Sequence, residues 1–258
     1  MTDAVSDFLS QYGRNESELL GSDQFKAPGI YAGEREYIEL AEADYYVDKH
    51  WIFEIAASDC ALIVIDMQED FVEPGRGLFI PEALRQVPRI LGTIDVCRSL
   101  SVPVLYTEYT AAPDVAHDFY KIWPAIEAGA CAEGTDGARL HRAFHPDAGE
   151  RVVSTKHSYD AFEGTNLDYA LRNQGVKTLI ICGTQTNYCC ESTARSGYFR
   201  GYHIVFGSDI NSADNAYAQN ATLRTLRRGF GRVLDHKQII DILENGDSLY
   251  REAVAARA

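Results

Sequence analysis

The stretch that most constrains this chain runs from Thr178 to Arg195: TLIIC, then GTQTN, then YCCESTAR. Its first five residues are apolar or β-branched and predict a buried strand. Gly183 to Asn187 interrupt that run with a tight polar turn. From Tyr188 onward the residues suit a helix that reaches Gly197 or Gly201. A strand that feeds a helix in this way delivers the first helical residues to the carboxyl edge of a parallel sheet, where open α/β sheets hold their sites. With Thr186 or Asn187 as N-cap, Cys189 or Cys190 enters the first turn. Free backbone N–H groups and the positive end of the helix dipole favour a thiolate there. The competing reading is structural, because free cysteines usually pack as small hydrophobes.

The remaining chain repeats the strand–helix alternation. Ala61 to Ile65 is an apolar run closed by Asp66, and Pro81 to Leu100 has helical spacing at Leu84, Val87, Ile90, Leu91 and Ile94. Pro103 to Tyr109 predicts a second strand, Arg151 to Lys156 a third and His203 to Asp209 a fifth. Helices are expected over Asn166–Asn173, Ala213–Arg228 and Ile239–Asn245, with a short strand at Arg232–Leu234. Residues 110–149 carry prolines and glycines and predict loops with short helices. The fold class expected is α/β: three layers, Rossmann-like, a mainly parallel six-stranded sheet with helices on both faces.

Two units are expected, an arm over residues 1–57 and one domain over 58–258. The arm is acidic, yet Tyr31, Tyr37, Tyr45, Tyr46, Trp51 and Phe53 make it too aromatic for a typical disordered tail. It is expected to pack on its own domain or on a neighbouring subunit. The formal charge of −14 argues against nucleic acid or an anionic membrane as partner. No secretion signal is legible at the start, so a cytoplasmic location is expected and disulfides among the six cysteines are not.

Three ionisable residues fall at strand ends that share one sheet edge: Asp66 after the first strand, Lys156 closing the third, and Cys189 after the fourth. A thiol needs a base, and a half-buried carboxylate can take its proton. Carboxylate and thiolate repel, so a cation must hold both, and Lys156 is that cation. Taken singly, the aspartate could be a cap and the lysine a solvated charge. The reading rests on the three together.

Asp66-Met-Gln-Glu-Asp-Phe71, Lys156-His-Ser-Tyr-Asp-Ala-Phe162 and the Gly183 to Arg195 segment resemble the three signature blocks of the isochorismatase-like cysteine hydrolases. The resemblance covers about residues 58–240. It implies Asp66 as base and acid, Lys156 as charge partner, Cys189 as nucleophile and Cys190 as packing. It also implies a non-proline cis peptide at Thr184–Gln185, with the Gln185 and Cys189 N–H groups forming an oxyanion hole. The same resemblance implies a homodimer or homotetramer.

One departure concerns metal. Nicotinamidases of this superfamily carry a metal-binding Asp-x-His and a further histidine after the second strand. Here the region from Tyr106 to His117 lacks that motif, and His141 and His145 lie apart in a loop. No metal and no cofactor are expected. Isochorismatases proper lack the cysteine, so Cys189 favours C–N cleavage of a small carboxamide, ureido or carbamoyl compound. Vinyl ether hydrolysis by Asp66, or a non-catalytic redox or binding role for Cys189 and Cys190, are the alternatives. Phe71, Tyr159, Phe162 and Tyr188 are expected as substrate walls, with Gln185 and Asn211 as polar contacts.

Overall fold

The computed structural model describes residues 48–112, 114 and 122–258. Six strands form one parallel sheet: β1 (Cys60–Ile65), β2 (Val104–Tyr109), β3 (Arg151–Lys156), β4 (Thr178–Thr184), β5 (His203–Ser212) and β6 (Arg232–Leu234). Their order is β3-β2-β1-β4-β5-β6. The chain therefore winds one way from β1 to β3 and the other way from β4 to β6. The point of reversal lies between β1 and β4, the place where such sheets open a crevice at their carboxyl ends.

Side chains of β1 alternate between two cores. Leu62 and Val64 face one, shared with Leu84, Val87, Ile90 and Ile94 of the long helix α2 (Pro81–Ser99). Ala61, Ile63 and Ile65 face the other. That second core contains Leu167 and Leu171 of α4 (Leu167–Asn173), Ala194 of α5 (Glu191–Phe199) and Leu226 of α6 (Ala216–Gly229). Every residue of β1 is buried, which is why its sequence is continuously apolar rather than alternating. Each of its leucine, isoleucine and valine side chains stabilises the fold by about 1.5–3 kcal/mol.

Two short helices, α1 (Glu69–Val72) and α3 (Pro124–Glu127), lie in the connections next to the carboxyl edge. The C-terminal pair is α7 (His236–Asn245) and α8 (Ser248–Ala255). None of the described helices is long and apolar enough to cross a membrane.

Several boundaries differ from the sequence expectation, each for a local reason. β4 runs on through Gly183, which pairs with Ile65 of β1, to Thr184, which pairs with Ser212 of β5. β5 reaches Ser212 through a register shift: Ile181 pairs with Phe206, but Gly183 pairs with Asn211. α6 begins at Ala216, three residues late, because Asn215 caps it by accepting the Ala218 N–H at 2.9 Å. α7 begins at His236, where Asp235 and Gln238 form a reciprocal capping box. Helix α8 was not anticipated. Its signal is Asp247, which accepts the Tyr250 N–H at 3.0 Å.

Most of the expected arm, residues 1–47, lies outside the described residues. Its last part packs on the domain: Phe53 stacks on His203 with ring centroids 4.3 Å apart. The Phe53 carbonyl accepts a hydrogen bond from Arg232, and the Ile55 N–H donates to Asp247. Arg232 and Asp247 form a fully buried, doubly hydrogen-bonded ion pair, so one pair fastens the entry of the chain and the start of α8 to β6.

Candidate active site

Asp66 directly follows β1 and turns away from the strand direction, with φ of 49°. A non-glycine residue in that left-handed region is uncommon and points to a functional constraint. Its backbone N–H bonds to Thr107 on β2. Its carboxylate accepts two short hydrogen bonds, from the Thr107 hydroxyl to Oδ1 at 2.6 Å and from the Lys156 ammonium to Oδ2 at 2.6 Å. Lys156 reaches this position from the end of β3, where it pairs with Tyr109. Its Nζ also lies 3.4 Å from Cys189 Sγ and 5.3 Å from the centre of the Tyr109 ring.

Cys189 enters from the other side of the reversal point. Beyond β4 the Thr184–Gln185 peptide is cis, and Thr186–Cys190 forms one π-helical turn before α5 begins. Gly183 makes this approach possible. It pairs with Ile65 at φ of 123°, and a Cβ there would lie 2.0 Å from the Ile65 carbonyl oxygen. Neither Thr186 nor Asn187 caps the turn, contrary to expectation: the residue preceding it is Gln185, and no side-chain cap bond is made. The Gln185 carbonyl instead accepts the Tyr188 and Cys190 N–H groups at 3.2 and 3.1 Å.

The electrostatics also differ from the expected dipole-stabilised thiolate. Burial pushes the Cys189 thiol up to about 12; Lys156 pulls it back, and Asp66 adds to the rise. At rest the cysteine is a thiol and needs a base at the moment of attack. Burial acting alone would lower the Lys156 ammonium, but Asp66 and Cys189 together raise it above the ordinary lysine range. Lysine therefore stays charged, and it is the counter-ion for whichever neighbour is anionic.

A pocket opens above the thiol. Phe71, Tyr109, Trp123, Tyr159 and Tyr188 wall it, with Leu78 and Ile126 completing the apolar surface and Gln185 beside Cys189. The Trp123 Nε1–H donates to the Tyr159 hydroxyl at 3.0 Å, and the Tyr188 ring lies 5.3 Å from both rings. The Tyr159 oxygen thus satisfies the Trp123 N–H at the pocket wall.

Phe71, Tyr159 and Tyr188 were expected in the walls and lie there. Phe162 and Asn211 do not. Phe162 is buried in the second core, against the Tyr202 ring at 5.9 Å and the Arg200 guanidinium at 4.8 Å. Asn211 fills the register shift of β5, donating to the carbonyls of Ile181 and Gly207, both at 2.7 Å. Its side chain closes a gap in the sheet and does not reach the pocket.

Sequence reasoning missed Leu78, Tyr109, Trp123 and Ile126 as walls, Thr107 as a partner of Asp66, and Gln68. The Gln68 side chain bonds both ways to the Tyr109 backbone, at 2.8 Å each, and so holds that ring beside Lys156. Tyr109 was recoverable, because it ends β2 at the same edge as the trio. Trp123 and Ile126 had no periodic signal.

Of the stretch after β2, the described residues Thr110, Ala111 and Ala112 carry neither carboxylate nor imidazole. His117 lies outside the described residues. Among the described residues one cluster has ligand-like spacing, Glu69, Glu73 and His141. Its groups are engaged with one another and with the chain: Glu73 pairs with Arg142 at 2.5 Å and with His141 at 3.3 Å, and Glu69 accepts the Arg142 N–H.

The isochorismatase domain family matches residues 60–238. Nicotinamidase 3 of Arabidopsis thaliana is 31% identical over 176 residues, which span 68% of this chain and 84% of that protein. The ureidoacrylate amidohydrolase RutB of Methylorubrum extorquens is 29% identical over 200 residues, 69% of this chain and 80% of its own. Among solved structures, a cysteine hydrolase from Pseudomonas syringae superposes with a TM-score of 0.71 at 29% identity, covering 75% of this chain and 96% of that one. N-carbamoylsarcosine amidase from Thermoplasma acidophilum does so with a TM-score of 0.61 at 29% identity, over 69% and 96% of the two chains.

Proposed function

The chain belongs to the isochorismatase domain family, and from that premise we propose that it is a cysteine-dependent amidohydrolase of small, uncharged carboxamides. The observation that carries this reading is Lys156, fully buried, bonded to Asp66 and within 3.4 Å of the Cys189 sulfur on the pocket floor. Relatives named as nicotinamidase, ureidoacrylate amidohydrolase and N-carbamoylsarcosine amidase support C–N cleavage as the reaction class.

The geometry suggests the following course. Asp66 takes the Cys189 proton as sulfur attacks the carbonyl carbon, so the thiolate never accumulates in the buried site. The carbonyl oxygen becomes an oxyanion, stabilised by the Gln185 and Cys189 backbone N–H groups. Collapse breaks the C–N bond, and the proton held by Asp66 goes to the departing nitrogen, giving ammonia or an amine and a thioester on Cys189. Asp66, ionised again, takes a proton from the water that attacks the thioester; the C–S bond then breaks, the proton returns from Asp66 to the Cys189 sulfur, and the carboxylic acid leaves. Lys156 faces one anion at each stage, first carboxylate and then developing thiolate.

The pocket chemistry narrows the acyl group. Its described walls are aromatic and aliphatic, and its nearest cation, Lys156, is committed to Asp66 and Cys189. A flat apolar group suits these walls, whereas a ureido acid would bring a carboxylate with no described partner. Vinyl ether hydrolysis by Asp66 alone would leave Cys189 at the pocket floor without a part. The test is ammonia release from a panel that pairs neutral aromatic carboxamides with ureido and carbamoyl acids. Preferential turnover of the neutral amides is expected, and turnover of the acids alone would contradict the assignment.

A further inference from the structure

We propose that Thr107 is a positioning residue for the acid–base step: its hydroxyl holds the Asp66 carboxylate in the orientation that receives the Cys189 proton. The proposal rests on the amidohydrolase reading and adds to it a fourth residue, one that does not line the substrate pocket.

The hydroxyl is committed in both directions. Thr107 Oγ1 lies 3.2 Å from the Asp66 nitrogen and accepts that N–H, so its own hydrogen is directed to Oδ1, 2.6 Å away. A hydroxyl-to-carboxylate distance of this size marks a charge-assisted bond. Thr107 is fully buried in β2, directly opposite Ile65, the residue before Asp66. Its place is thus set by the sheet itself, and its side chain cannot exchange the carboxylate for water.

The two oxygens of Asp66 are held from two strands, Oδ1 by Thr107 on β2 and Oδ2 by Lys156 on β3. Lysine alone could not fix the carboxylate plane. Its ammonium is a compact charge with rotatable donors and donates to one or both oxygens equally well. With the hydroxyl gone, the carboxylate is free to swing about Cβ–Cγ and close on the ammonium with both oxygens, which turns its basic lone pairs away from sulfur. The left-handed backbone at Asp66 leaves few other restraints: its N–H bonds go to Thr107 as well, to the carbonyl and the hydroxyl.

The remaining charged or titratable groups that act on this carboxylate or feel it are Cys189 and Cys190 from the π turn, Cys131 from the loop after α3, and Glu108 beside Thr107. Of these, the Cys189 thiol is itself in hydrogen-bonding contact with the Asp66 carboxylate.

Thr107→Val keeps the shape and removes the hydroxyl, and Thr107→Ser keeps the hydroxyl and removes the methyl. For Thr107→Val we expect kcat to fall about 10- to 100-fold with KM within about twofold, as for loss of a bond to a charged group used in the reaction. Thr107→Ser should recover most of the rate. Alkylation of Cys189 by iodoacetamide, followed against pH in the same variants, reads the carboxylate–thiol contact without any substrate. If the wild type released no ammonia from any amide while Thr107→Val still altered that alkylation profile, the amidohydrolase reading would fall and the positioning role would stand. Thr107→Val kinetics and alkylation that overlay the wild type would overturn the proposal. So would a serine variant as slow as the valine one, since the methyl would then account for the loss. If Thr107→Val does not fold, Thr107→Ala is compared with Thr107→Ser by the same measurements.

Discussion

The Lys156 ammonium stands 2.6 Å from Asp66 Oδ2, and neither side chain is exposed to solvent. Breaking one side of a buried pair leaves a charge with no compensation, which costs about 3–5 kcal/mol. Lys156→Met should therefore lower unfolding stability by about that much, and adding Asp66→Asn should restore most of it. Urea unfolding of the two singles and the double checks this. Strict additivity of the two losses would show that the pair is not coupled.

Cys189 and Cys190 are adjacent and both buried, but only Cys189 borders the pocket and touches Lys156. Cys189→Ala should abolish turnover while leaving the fold intact. Cys190→Ala should keep most of the activity and cost on the order of 1 kcal/mol of stability. Ammonia release by the two variants, compared with their thermal midpoints, decides between them; the reverse pattern would move the nucleophile by one residue.

All six cysteines are buried thiols, and burial raises each of them, Cys60, Cys97 and Cys189 to about 12. The sign follows from linkage: an unfolded thiol ionises from about pH 8.5, whereas the folded ones stay protonated. Stability from these groups is fully present below that value and is lost as pH rises toward the folded values. Urea midpoints should fall steadily on the alkaline side, and Cys182→Ala should flatten the fall. A midpoint constant through that range would contradict the burial of the thiols.

The pocket walls separate two aromatic residues that look alike in sequence. Tyr188 lines the cavity, while Phe162 sits in the core against Tyr202 and Arg200. Tyr188→Leu should raise KM for an aromatic amide by about tenfold, through lost ring contact, with little change for acetamide. Phe162→Leu should lower stability by roughly 1 kcal/mol and leave KM nearly unchanged. Initial-rate kinetics with both amides on both variants tests the assignment.

The trio was legible because each member closes or follows a segment with a clear pattern: Asp66 after an all-apolar run, Lys156 at the end of β3, Cys189 after β4 and its glycine turn. Parallel strands carry such ends to one edge, so sequence order sufficed. The walls were not legible in the same way. Trp123 and Ile126 come from a connection with no hydrophobic period, and they become neighbours of Tyr159 and Tyr188 only through tertiary packing. Phe162 looked like a wall because it belongs to the Lys156 block, but Tyr202 and Arg200, far along the chain, claim its ring for the core. Thr107 was invisible for a different reason. Threonine is an ordinary strand residue, and only the register of β1 on β2 shows that its hydroxyl meets a carboxylate.

The cysteine-dependent course requires a covalent acyl group on Cys189, formed as ammonia leaves. Wild-type protein mixed with a neutral aromatic carboxamide that it turns over, quenched in acid within the first turnovers and digested, can be read by peptide mass. An acyl adduct is expected on the peptide that carries Cys189, in step with ammonia release, with neither adduct nor ammonia from Cys189→Ala. Full ammonia release by Cys189→Ala, with no adduct on the wild-type peptide, would contradict that course.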